Sequence, residues 1–218
     1  MDAFRTEVEA PEFNFSVDHN SHVFMMGSCF TENVGERLVR NKFDVTTNPF
    51  GILFNPFSIT NSLERMLGVR PYVESDLIKS GEHWASLDHH GRFNNRSKKE
   101  CLLAINSELE SGREALLNAD ILFFTLGSAW VYEHIESNHI AANCHKIPNK
   151  EFKKRILSFQ ETNLILAQIP ELIKAHEITA EIVFTVSPIR HWKDGPIENQ
   201  RSKSTLISAV HRVVDQYD

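Results

Sequence analysis

The sequence predicts an α/β fold built on a doubly wound parallel sheet with helices on both faces. Three observations carry that prediction. Short apolar runs alternate with stretches of helical spacing along the chain. The four clearest runs each end in small or polar residues. No linker, internal repeat or low-complexity tract breaks the pattern, so the 218 residues read as one domain spanning 1–218. Strand–helix alternation implies right-handed crossovers, and these bury a parallel sheet between two helical layers.

The first strand is His22-Val23-Phe24-Met25-Met26, a short run with the apolar character of a buried strand. Gly27 permits the sharp reversal that follows, and a helix over 32–42 presents Val34, Leu38 and Val39 on one face. Residues 43–47 form the second strand, and 58–67 a helix with Ile59, Leu63 and Leu67 in register. The stretch 72–97 has no period and carries His83, Trp84, Asp88, His89, His90, Arg92 and Phe93, so it reads as a long ordered loop of the functional kind. Helical spacing returns over 98–118, and 121–126 is the third strand. Residues 151–176 read as a long helix that Pro170 kinks or splits. The fourth strand is 181–186, and an amphipathic helix with Leu206, Val210, Val213, Val214 and Tyr217 closes the chain. That helix stops without a Gly or Asn cap and no strand follows the fourth. The expectation is a chain lacking its C-terminal part, with a fifth strand missing from the exposed edge.

Composition narrows the function classes. A formal charge of −6 gives no reason to expect nucleic acid or an anionic membrane as partner. The N-terminus has neither a basic start nor an apolar core of the signal-peptide kind, and no apolar run approaches the roughly 18 residues that span a bilayer. The three cysteines, Cys29, Cys101 and Cys144, form no disulfide framework and no C-x-x-C pair, as expected of reduced thiols in the cytoplasm. Nothing in the chain calls for a cofactor or fixes an oligomeric state.

In open parallel sheets ligands sit at the C-terminal ends of the strands. That places Gly27-Ser28-Cys29, Asn48-Pro49-Phe50-Gly51, Gly127-Ser128-Ala129-Trp130 and the segment from Ser187 through Arg190, His191 and Asp194 on one rim. Ser28 lies between a strand end and a helix N-terminus, where unpaired N–H groups can stabilise an oxyanion. It is a candidate nucleophile, and equally a candidate helix cap. Cys29 is the competing nucleophile, or a small apolar group under the turn. Candidate bases are His191, His145, His89 and His90, each also readable as a surface or hydrogen-bonding histidine. Adjacent histidines seldom converge on one ion, so Asp88, His89, His90 and His83 do not make a metal site. Trp84, Trp130 and Trp192 read first as partial core, although Trp130 and Trp192 follow strand ends.

Gly27-Ser28-Cys29-Phe30 opening a helix resembles the GSCFA family, within the wider SGNH/GDSL-like hydrolases. The likeness continues through Asn48-Pro49-Phe50-Gly51-Ile52-Leu53-Phe54-Asn55-Pro56, Thr125-Leu126-Gly127-Ser128-Ala129-Trp130-Val131-Tyr132, Asn143-Cys144-His145-Lys146, Ser187-Pro188-Ile189-Arg190-His191-Trp192-Lys193-Asp194-Gly195 and Glu198-Asn199-Gln200-Arg201-Ser202. It implies a flavodoxin-like three-layer α/β/α sandwich and a serine esterase that cleaves an acyl or acetyl ester of a small molecule or carbohydrate. Ser28 is then the nucleophile, and the oxyanion hole uses the backbone N–H of Ser28 and of Gly51. The asparagine donor usual in the wider group is replaced by Ala129, with Asn143, Asn55 or Asn48 as substitutes. The usual C-terminal histidine, with an aspartate three residues before it, is also missing. His211 is preceded at that distance by Ser208 and lies in the amphipathic helix, so the base is expected beyond Asp218, with His191 on the rim the first candidate within the chain. Asn48, Gly127, Ser128, Asn143, His145, Arg190 and Asp194 are expected to line the substrate pocket, with Arg190 and Asp194 alternatively paired to hold their loop. A non-catalytic binding module on the same fold, or an inactive truncated fragment, is the other reading.

Overall fold

The computed structural model describes residues 12–190 and 192–217. Strand β1 (His22–Gly27) leads through helix α1 (Cys29–Arg40) to β2 (Asp44–Thr47), and helix α2 (Pro56–Leu67) follows. A hairpin of β3 (Leu77–Ser80) and β4 (His83–Ser86) precedes helix α3 (Lys98–Leu117) and strand β5 (Ile121–Leu126). Then come β6 (Trp130–His134), β7 (His139–Ala141), β8 (Phe152–Ile156), α4 (Phe159–Ala175), β9 (Glu181–Val186) and α5 (Gly195–Tyr217). The main sheet has the order β2-β1-β5-β9, all parallel, with Val23 opposite both Val45 and Ile121. The chain moves outward from β1 to β2 and then back past β1 to β5, so the order reverses between β1 and β5. Crossovers in opposite directions put α1 on one face and the later helices on the other.

The core is what the apolar runs anticipate. Phe24 and Met26 of β1 and Leu122, Phe124 and Leu126 of β5 are buried with Ile59, Leu63, Ile105, Leu166, Ile169 and Leu206 from the helices. Full burial of each such side chain is worth about 1.5–3 kcal/mol. Strand β9 pairs only with β5 among the described residues, and residues 182–186 stay partly exposed.

Two predicted elements are corrected. The stretch 151–176 is not one helix: β8 occupies its first part, and a capping box between Ser158 and Glu161 starts α4. Pro170 does not split α4, because Leu166, Ile169 and Ile173 around it are buried in the core. That burial offsets the lost hydrogen bond. The stretch 72–97 is not a plain loop either, since Gly81 at φ +58 turns β3 into β4. The antiparallel sheet β7-β6-β8 went unpredicted, although Trp130-Val131-Tyr132 has strand composition and Asn138 at φ 53 suits its hairpin turn.

Gly27 fixes the approach of β1 to β5. Its φ is +145, and a Cβ there would lie 2.2 Å from the Thr125 carbonyl oxygen. Gly27→Ala is therefore expected to cost about 2–4 kcal/mol of stability, read as a lowered denaturant midpoint with an unchanged slope.

Candidate functional site

The rim is assembled by backbone hydrogen bonds. The Ser28 N–H donates to Thr125 O at 3.1 Å, and the Asn48 N–H to Met25 O at 2.9 Å. The segment after the 48–51 turn then crosses the rim. Leu53 N–H donates to Gly27 O at 2.9 Å, while Gly127 and Ser128 N–H both donate to Phe54 O at 2.8 Å. The Asn55 side chain then caps α2 through the Ser58 N–H at 2.8 Å.

On the β1 side of this strap, Ser28 caps α1, its Oγ accepting the Phe30 N–H at 3.3 Å, and it is only 1 % exposed. Asn48 sits beside it, accepting the Gly27 N–H on Oδ1 at 2.8 Å. Asn48 Nδ2 is buried with no hydrogen-bond partner among the described residues. Gly51 completes the turn at φ +78, donating its N–H to Asn48 O at 2.7 Å. The two amides that the resemblance assigns to an oxyanion hole are thus both engaged, to Thr125 and to Asn48. What Gly51 supplies is space, because a Cβ there would lie 2.2 Å from His90 Cβ. The His90 N–H donates to Phe50 O at 2.9 Å, and Arg92 Nη2 to Asn48 O at 2.8 Å. His90 thus packs on the 48–51 turn, against Gly51. His191 lies outside the described residues.

The other histidines are held differently. His89 is fully buried, stacked on Phe50 with ring centroids 4.5 Å apart, and burial pushes its imidazole down to about 3. His145 donates Nε2–H to Ser86 O at 2.7 Å, and burial lowers it as well. His145 and Asn143 line a cleft of about 410 Å³ with Ser80, His83 and Gly91.

On the β5 side of the strap lies a cavity of about 270 Å³. Gly127, Ser128 and Asp194 line it, together with Asn55, Trp130, Tyr132, Lys193 and Ser202. Asp194 pairs with Lys154, and Arg190 is exposed, so the pairing expected between Arg190 and Asp194 is replaced. Lys154 also stands over the Trp130 ring, 4.6 Å from its centroid. Lys203, absent from the sequence-based assignment, donates to Gly127 O at 2.7 Å and Ser187 O at 2.6 Å, and burial lowers its pKa. Of the three substitutes for the Ala129 position, Asn55 donates its Nδ2 to Ser58 Oγ at 3.0 Å and Asn143 is part-exposed, while Asn48 Nδ2 is buried without a partner among the described residues.

A serine at the switch point of a parallel sheet, with an unspent amide donor on the neighbouring turn, defines an α/β protein with a serine-bearing rim. The chain belongs to the GSCFA family, whose model matches residues 22–218. No curated protein and no solved structure matches it.

His89 makes the acid side of stability testable. A histidine held neutral in the fold contributes stability that is present above its unfolded value of about 6.5 and is lost as pH falls toward 3, at about 1.4 kcal/mol per unit. Denaturant midpoints should fall steeply between pH 6.5 and 4, and His89→Phe should flatten that dependence.

Proposed function

We propose that the chain is a serine acyl hydrolase of the SGNH type, acting on an acyl or acetyl ester of a small molecule or carbohydrate. The observation that supports this reading best is the buried Asn48 amide beside Ser28. An orphaned buried N–H costs about 1–3 kcal/mol, and a catalytic role is one reason a fold keeps such a group. In this reading His90 takes the Ser28 hydroxyl proton as Oγ attacks the carbonyl carbon. The tetrahedral oxyanion receives the Asn48 Nδ2 hydrogen, in place of the engaged Ser28 and Gly51 amides. Collapse expels the alcohol, which takes the proton from His90, and water attacks the acyl-serine by the same route. The 270 Å³ cavity holds the remainder of the ester across the strap, with Ser128, Trp130 and Asp194 on its wall.

One observation favours a second reading, a non-catalytic binding module. Ser28 is 1 % exposed and does not line the cavity, so a ligand can be held there without touching the hydroxyl.

A fluorophosphonate probe separates the two. Covalent labelling is expected, with Ser28→Ala abolishing it, Cys29→Ala leaving it, and His90→Ala slowing it by about 100-fold or more. An unlabelled protein that still binds small esters in the cavity would establish the binding module. Loss of label in Cys29→Ala alone would move the nucleophile to Cys29.

A further inference from the structure

We infer that Asp88 and His139 form a positioning pair that clamps the 86–92 loop onto the 48–51 turn and so fixes where His90 sits against Gly51. The inference rests on the acyl-hydrolase reading, in which His90 is the base. Neither residue belongs to the rim. Asp88 is a buried carboxylate that gathers three donors from three parts of the chain: Tyr72 Oη at 2.9 Å, Asn61 Nδ2 of α2 at 3.1 Å and His139 Nε2 of β7 at 2.6 Å. It stands two residues before His90, on the loop whose His89 ring stacks on Phe50 and whose Arg92 holds the Asn48 carbonyl. A shift of Asp88 is passed along this short loop to His90, which Gly51 admits without a Cβ between them.

The charges around the pair are mixed. Arg65 of α2 stacks on Tyr72 at 4.0 Å and pairs with Asp76 at 3.0 Å, and Arg70 lies on the same cleft. Asp76 raises the His139 pKa and Arg65 lowers it, while His89 beside the carboxylate stays neutral. Ser75, Ser86 and Ser137 complete the lining with neutral groups. His139 is 34 % exposed on this cleft of about 330 Å³, so bulk solvent can protonate it, while the more deeply buried Asp88 lines the same cleft.

The hydrogen bond to Asp88 raises the His139 imidazole above its ordinary range. Burial raises the Asp88 carboxyl, but the hydrogen bond and charge of His139, with further lowering from His89 and the Tyr72 hydrogen bond, hold it below its usual range. The signs follow. His139's contribution is complete below its unfolded value of about 6.5 and declines as pH rises through its raised folded value. Asp88's contribution is complete above about 3.8 and declines only as pH falls through its lowered folded value. The clamp therefore loosens on the alkaline side, whereas a base that must accept a proton loses activity on the acid side.

The test uses the whole chain over pH 5–10, with three readouts: the rate of fluorophosphonate labelling, the NMR titration of the His139 ring, and hydrogen exchange at the His90 amide. The alkaline limb of labelling should track the His139 titration. His139→Gln is a neutral donor like the deprotonated ring, and should label at neutral pH at the slower rate the parent shows on its alkaline side, with the alkaline limb gone. Asp88→Asn should lower the His139 titration, speed His90 exchange and slow labelling by about 10–100-fold, the scale of an ångström-sized misplacement. The inference is overturned if His139→Gln keeps the alkaline limb, or if Asp88→Asn leaves His90 exchange unchanged. A parent protein that never labels refutes the hydrolase reading alone, and the exchange data then still decide whether Asp88 and His139 clamp the loop.

Discussion

The close contact of β1 with β5 at Gly27 is the constraint from which the rim follows. Parallel strands in register fix where each chain leaves the sheet, and Gly27 leaves with no side chain against the Thr125 carbonyl. Because β1 and β5 part here in opposite topological directions, the chain must open a crevice at this point. Ser28, the Asn48 side chain and the Gly127 amide all take their positions from that opening. A larger residue at 27 would push β1 off β5 and move all three groups together.

Around this fixed point the polar groups divide by what satisfies them. The amides of Ser28, Gly51, Gly127 and Ser128 are all paired with carbonyls, which makes the rim rigid and leaves few donors for a ligand. On the serine side the Asn48 amide nitrogen and the Thr31 hydroxyl have no partner among the described residues, and the cavity side offers aromatic rings with an ion pair. Lys203 works underneath, its ammonium drawing together the carbonyls that follow β5 and β9, with no carboxylate paired to it among the described residues.

Much of the fold was legible because buried strands need only apolar β-branched or aromatic runs, and 22–26, 121–126 and 181–186 have them plainly. The antiparallel sheet was harder. Lys153, Lys154 and Arg155 give β8 a helix-like composition, and only pairing with β6 makes them a strand. At the site, Ser28, Asn48 and Gly127 could be placed from strand ends alone. The separation of His90 from His89 could not, since it depends on which ring Phe50 stacks upon. His139 carried no local signal at all, because its partner lies 51 residues away in sequence.

The strap over residues 53–55 has a mechanical consequence. It bonds to β1 through Leu53 and to β5 through Phe54, and its next residue is the cap of α2. A tug on the first turn of α2 therefore loads both central strands at once, and neither bond can be released without straining the other. The crevice should resist prying as a single fastener does, staying shut up to a threshold and then yielding along its whole length.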